Sequence, residues 1–166
     1  MLKIYPVETD EDLEVVKELF VEYADCIFEL VRPYSLSLAK RLSEKALREA
    51  NGLPGEYAKP KGCILLAEYK GAIAGCIAVS EIAEGVCEFK RIYVKPKFRR
   101  MGIGKKLSDE IIKKATHLQY KRMHLHTNED LFIGAKELYT SLGFKETGHI
   151  EGSPLKNSVY MELELG

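Results

Sequence analysis

Residues 86–106, VCEFKRIYVKPKFRRMGIGKK, hold a strand, its stop, a glycine turn and the approach to a helix. VCEFKRIYV is rich in β-branched and aromatic residues, and Lys95-Pro96 ends it, since proline cannot donate to a sheet ladder. Gly102-Ile103-Gly104 then leads into LSDEIIKKATHL (107–118), an amphipathic helix, and on to a further strand, RMHLHT (122–127). A strand–helix–strand unit asks for parallel neighbours. Just upstream, CILLAEY (63–69), a turn at Lys70-Gly71, AIAGCIAVSEI (72–82) and a turn at 83–85 read as hairpins feeding into 86–94. Parallel and antiparallel pairing therefore meet in one sheet.

Toward the N-terminus, LKIYPV (2–7) reads as a first strand. Thr9 and Asp12 fit a capping-box-like start for a helix over LEVVKELFVEYADCIFEL (13–30). Its residues Leu13, Val16, Leu19, Phe20, Tyr23 and Ile27 recur at helical spacing, and Pro33 stops it. A second helix covers LSLAKRLSEKALREA (36–50), with Asn51-Gly52 predicting a left-handed stop. NGLPGEYAKPKG (51–62) is a loop of a length that is often functional. Toward the C-terminus, IGAKELYTSLG (133–143) reads as a helix, with FKETGHI (144–150) and VYMELEL (159–165) as strands. The order β-α-α-β-β-β-α-β-α-β-β predicts an α/β fold of the α+β kind. Its mixed, mostly antiparallel central sheet has six to seven strands, flanked on both faces by about four helices. A doubly wound fold would alternate throughout. One domain over residues 1–166 fits the length.

Lys+Arg and Asp+Glu are 25 each, so the net charge is zero. A chain that coats nucleic acid or an anionic membrane normally carries an excess of one sign, so neither partner is expected. No apolar run reaches the ~18–20 residues of a membrane span. The N-terminus shows no basic region followed by an apolar stretch, so no signal peptide is expected. Cys26, Cys63, Cys76 and Cys87 form no C-x-x-C pair and read as reduced thiols of a cytoplasmic protein. His124 and His126 fall on one face of their strand, with no Cys or His following at metal spacing. They read as polar residues of a half-buried strand, and no metal is expected.

The window 90–106 carries eight basic residues and no acid. Such a local excess in a neutral chain points to a polyanionic ligand. Glycines let the backbone approach a ligand, and the first N–H groups of a helix lack internal acceptors. Together with the helix dipole they make an anion site. It is not a dinucleotide fingerprint, because position 107 is Leu107 rather than Gly, and it lacks the spacing of a P-loop.

Arg99-Arg100-Met101-Gly102-Ile103-Gly104 resembles the Arg/Gln-x-x-Gly-x-Gly/Ala loop of the GNAT superfamily of N-acetyltransferases. Glu88 to Val94, followed by Pro96, is similar to the strand before that loop, and Leu138-Tyr139-Thr140-Ser141-Leu142-Gly143-Phe144 to the later L-Y-x-x-L-G-F segment. The element order matches over nearly the whole chain. The resemblance implies acetyl-coenzyme A as donor. The backbone of Ile92, Tyr93 and Val94 would hold the pantetheine arm. N–H groups of Arg99, Arg100, Met101, Gly102, Ile103, Gly104 and Lys105 would hold the pyrophosphate, with the side chains of Arg99, Arg100 or Lys105 neutralising its charge. Many members have Gly at the position of Arg100, and Asn at that of Phe132, seven before Tyr139. Thr127 or Asn128 would stand in for that Asn.

In several members a Glu spaced like Glu88 is the general base. An alkylamine with a pKa near ~10.4 is protonated at neutral pH, so an acceptor for its proton is needed. The family role of Tyr139 is proton donor to the leaving thiolate. Cys87 offers a covalent route, but it points away from Glu88 on an extended strand and has no His near it in sequence. The first helix is acidic, with only Lys17 opposing nine acids over residues 8–29, which would draw a cationic acceptor. The expected reaction is transfer of acetyl to a primary amine, on a small molecule or peptide, by direct attack in a ternary complex. A homodimer is left open. Two rivals stand beside this reading. One is a non-catalytic acyl-coenzyme A-binding module. The other is a nucleic-acid-binding domain, for which only Tyr93 and Phe98 supply aromatics within the basic window.

Overall fold

The period-two alternation of the central strands sorts their side chains into two cores, one on each face of a single sheet. The computed structural model describes residues 1–166. In chain order the elements are β1 (Leu2–Pro6), α1 (Asp10–Val31), α2 (Leu36–Asn51), β2 (Cys63–Tyr69), β3 (Ala72–Ala83), β4 (Val86–Val94), α3 (Ile103–His117), β5 (Arg122–Asn128), α4 (Ala135–Ser141), β6 (Lys145–His149) and β7 (Ser158–Glu164). The seven strands lie in the order β1-β2-β3-β4-β5-β7-β6, and every pairing is antiparallel except β4 with β5. The mixed sheet and the four α-helices expected from the element order are therefore present.

On β2, Cys63, Leu65 and Ala67 face the α3 side, with Leu107, Ile111, Met123 and Phe144. Ile64 and Leu66 face the α1 side, with Val16, Leu19 and Phe20. Burial on both faces is why β2 and β3 read as nearly continuous apolar runs. Thr9 caps α1, its hydroxyl accepting from the Asp12 N–H at 3.0 Å.

Several helix ends differ from the sequence reading. Gly52 ends α2 at φ −107°, not in the left-handed region. Its N–H bonds the carbonyls of both Arg48 and Glu49, so the last turn tightens and needs no left-handed residue. The third helix starts at Ile103, because Ile103 and Leu107 are buried one turn apart. The fourth is shorter at both ends, bounded by Gly134 and Gly143 at φ 86° and 104°. No helix is long and apolar enough to cross a membrane.

Candidate active site

The parallel contact between β4 and β5 is short. Val86, Cys87 and Glu88 lie opposite Arg122, Met123 and His124, and there the pairing stops. Beyond Glu88, β4 stays with β3 while β5 stays with β7. The sheet therefore splits into two halves, and a wedge opens between residues 89–94 and 125–128. A β-bulge accentuates the split. Cys76 pairs with Tyr93 and Ala78 with Lys90, so a single β3 residue, Ile77, faces both Arg91 and Ile92. Arg91 takes φ 54° there. Gly75 lets β3 follow the bulge, since a Cβ at that position would strike the Tyr93 carbonyl. The wedge widens into a cleft of about 590 Å³ that reaches from the α3 start to α1 and α2.

At the α3 end, Gly102 sits at φ 78° as the N-cap of the helix, and no side chain caps it. The first backbone donor of the region with a partner is Lys106, bonded to Gly102 O at 3.1 Å. The N–H groups of residues 100–105, six in succession, have no acceptor within the chain. A Cβ on Gly102 would meet nothing within 4 Å, so that position opens onto free space. Arg100, where many GNAT members carry Gly, is itself left-handed at φ 63°, a conformation that costs a non-glycine residue about 1–2 kcal/mol.

Glu88 lies at the apex of the wedge, its side chain 16% exposed. It does not pair with Lys90 or Arg91, which bond Glu49 and Glu56 of the α2 side instead. Its neighbour is His126, with Nδ1 3.6 Å from Glu88 Oε2. Desolvation holds the imidazole below its ordinary pKa, against the opposing pull of the Glu88 carboxylate. The ring is 60% exposed. Tyr139 of α4 lines the cleft, its ring edge-on to Phe89 and Phe144. Burial pushes its phenol up to about 12.

Of the residues singled out in the sequence, Glu88, Tyr139, Ile92, Val94, Arg99, Arg100, Gly102, Ile103, Gly104, Thr127 and Asn128 converge on this one cleft. Tyr93, Met101 and Lys105 do not line it. The Tyr93 side chain points to the α1 core and donates to Glu22 at 3.2 Å, while Lys105 reaches Asp109 at 3.2 Å. Arg99 folds back, its Nε donating to the Val94 carbonyl at 2.8 Å. The Asn128 amide is fully occupied. It donates to Lys156 O and Ser158 Oγ and accepts from the N–H groups of Asp130 and Leu131. Its side chain holds the 129–131 turn and has no capacity left for a ligand.

The local basic excess is also less uniform than its sequence. Lys90 and Arg91 are neutralised by Glu49 and Glu56, Lys95 by Glu22 at 3.5 Å and Lys105 by Asp109. Two features escape the sequence reading. The parallel register that sets His124 opposite Glu88 would have placed His126 just past the carboxylate. The Glu49–Arg91 pair spans 42 positions and leaves no local pattern.

A family model described as the acetyltransferase (GNAT) family matches residues 24–144. An uncharacterized N-acetyltransferase of Schizosaccharomyces pombe is 34% identical over 166 residues, spanning 99% of this chain and 95% of that protein. Among solved structures, a GNAT acetyltransferase from Staphylococcus aureus superposes with a TM-score of 0.74 at 19% identity, covering 100% of both chains. The PaiA N-acetyltransferase of Thermoplasma acidophilum, solved in complex with coenzyme A, gives 0.71 at 23% identity and covers 99% of each. Because the matched span runs from within α1 to Phe144, and so contains the wedge walls of β4 and β5 and the loop that opens α3, this chain belongs to the acetyltransferase (GNAT) family and is an acetyltransferase.

Proposed function

We propose that the protein transfers acetyl from acetyl-coenzyme A to a primary amine by direct attack in a ternary complex. The six N–H groups without acceptors at the start of α3 carry this reading. They make a site for a pyrophosphate, and the wedge leading away from them has the open backbone edge that a pantetheine arm requires. The coenzyme A bound to the Thermoplasma relative is in line with such a donor.

Glu88 accepts the proton of the incoming ammonium. His126, kept neutral by its lowered pKa, passes that proton to solvent. The freed amine attacks the thioester carbonyl, and a backbone N–H among Ile92 to Val94 stabilises the oxyanion. The C–S bond then breaks, and the nitrogen gives up its second proton to solvent as the amide forms. Tyr139, protonated at every physiological pH, donates to the departing thiolate. A thiol near ~8.5 is a stronger acid than this phenol, so Tyr139 acts chiefly as a hydrogen-bond donor while solvent completes the protonation. Cys87 is unsuited to a covalent route. Burial pushes its thiol up to about 12, and Sγ bonds the Arg122 carbonyl on the face opposite Glu88.

Two variants test the two ends of this site. Gly102→Val forces a side chain into the free space before α3 and weakens acetyl-coenzyme A binding about tenfold or more, read by calorimetry. Unchanged affinity in a folded variant removes the loop from the donor site. Tyr139→Phe keeps the ring and lowers kcat by about 10²-fold with donor affinity nearly unchanged. An unaltered kcat, with chemistry limiting, leaves Tyr139 a packing residue. Release of free thiol in the presence of amines tests the overall reaction.

A further inference from the structure

Away from α3 the cleft changes character. Ile27 and Val31 of α1, Leu42 of α2 and Leu155 before β7 line it with aliphatic carbon. Most of the charge nearby is already matched. Glu49 grips Arg91 at 2.7 Å, and Lys90 lies between Glu49 and Glu56. At the apex, Glu88 faces His126. The exposed Lys45 of α2 lines the same cleft and makes no ion pair. Its charge reaches the apex, where it adds to the forces holding the His126 pKa down.

This end therefore offers an acid for an amine, an aliphatic wall for a carbon body, and one unmatched cation. A simple alkylamine leaves the Lys45 ammonium without a counter-charge, and so does the N-terminus of a peptide, whose first carbonyl carries no charge. A free amino acid supplies the anion. We propose that the acceptor is a free α-amino acid with an apolar side chain, its amine at Glu88, its side chain on the Ile27–Leu155 wall and its carboxylate held by Lys45. This identification rests on the amine-acetyltransferase reading above.

The test compares leucine, leucinamide and 3-methylbutylamine as acceptors, with aspartate as a polar amino acid, using thiol release at saturating acetyl-coenzyme A. Leucine should exceed the amide and the alkylamine by about tenfold or more in kcat/KM, and should exceed aspartate as well. Lys45→Ala should lower the rates of the two amino acids, spare leucinamide and 3-methylbutylamine, and so erase the leucine advantage over them, while Lys45→Arg should keep most of it. Equal rates for leucine and leucinamide in the wild type overturn the proposal, as does a Lys45→Ala variant that slows all acceptors alike. Aspartate matching leucine overturns the assignment of the apolar wall. If none of these compounds is acetylated but a polyamine or lysine peptide is, the amino-acid proposal fails and the acetyltransferase reading stands. If acetyl-coenzyme A binds and no amine releases thiol, the reading beneath it fails.

Discussion

Glu88→Gln lowers kcat/KM by about 10²–10⁴-fold at neutral pH and regains part of that loss as pH rises. Glutamine keeps the size of the side chain but cannot take a proton. At neutral pH nearly all of an alkylamine is charged, so the variant must wait for the small neutral fraction. At high pH solvent supplies neutral amine, and the deficit shrinks. Since Glu88 forms no ion pair with Lys90 or Arg91, the substitution breaks no buried charge pair and the fold should tolerate it. The wild-type profile has its own signature. Imidazolium cannot accept a proton, so a relay through His126 fails as pH falls through the histidine pKa. That pKa lies below the ordinary value, so activity should persist to lower pH than a free imidazole would allow. Paired pH–rate profiles at saturating acetyl-coenzyme A measure both effects. A Glu88→Gln deficit that stays constant across the range makes Glu88 structural, and undiminished activity removes it from the reaction.

Glu49→Ala unfolds the protein more readily by about 3–5 kcal/mol, because it strands Arg91 without its partner. Both side chains are nearly buried, 13% and 12% exposed, and Arg91 makes a two-pronged contact with Glu49 at 2.9 and 2.7 Å. Burial alone would raise the Glu49 pKa. The hydrogen bonds from Arg91 and Tyr57 and the charges of Arg91 and Lys90 overcome it and bring the carboxyl down to about 2. A depressed carboxyl stabilises the fold fully above its unfolded pKa, near ~4.3, and loses that contribution as pH falls toward the folded value. Urea titrations at neutral pH and near pH ~3 should show a wild type that weakens sharply on acidification. The variant starts lower and changes less. Equal stability of the two proteins at neutral pH would show that the pair contributes nothing net. Replacing Glu49 and Arg91 together by apolar residues should recover much of the lost stability.

The legible parts of this chain were those whose cause is local. β2 and β4 fall on their expected residues, since short runs rich in apolar and aromatic residues bounded by Gly and Pro leave little choice. The Gly102 loop was readable because its job, a left-handed turn before an uncapped helix, is written in neighbouring residues. The other end of the cleft was not. Lys45, Leu155 and Glu88 come from α2, a C-terminal loop and β4, and only the folded sheet brings them to one cleft. His126 was visible as an alternating residue, but its meaning depends on the register of β4 against β5, which no spacing records. Net charge misled in the same way. Acids far away in sequence match Lys90, Arg91 and Lys95, and Asp109 just beyond the window matches Lys105, so counting within the window overstates the patch.

The two halves of the sheet are joined at the β4–β5 seam through only three residue pairs. On the proposed reading, the donor occupies the gap beyond them as a surrogate strand, bracing one half against the other. Substrate then contributes to the scaffold as well as to the chemistry. At a donor concentration 100 times its dissociation constant the added stability is about 2.7 kcal/mol, a sizeable share of the ~5–15 kcal/mol that holds a typical domain. On the same reading the amine meets a finished wall only when the thioester already lies in the gap, so donor binding is expected to precede amine binding.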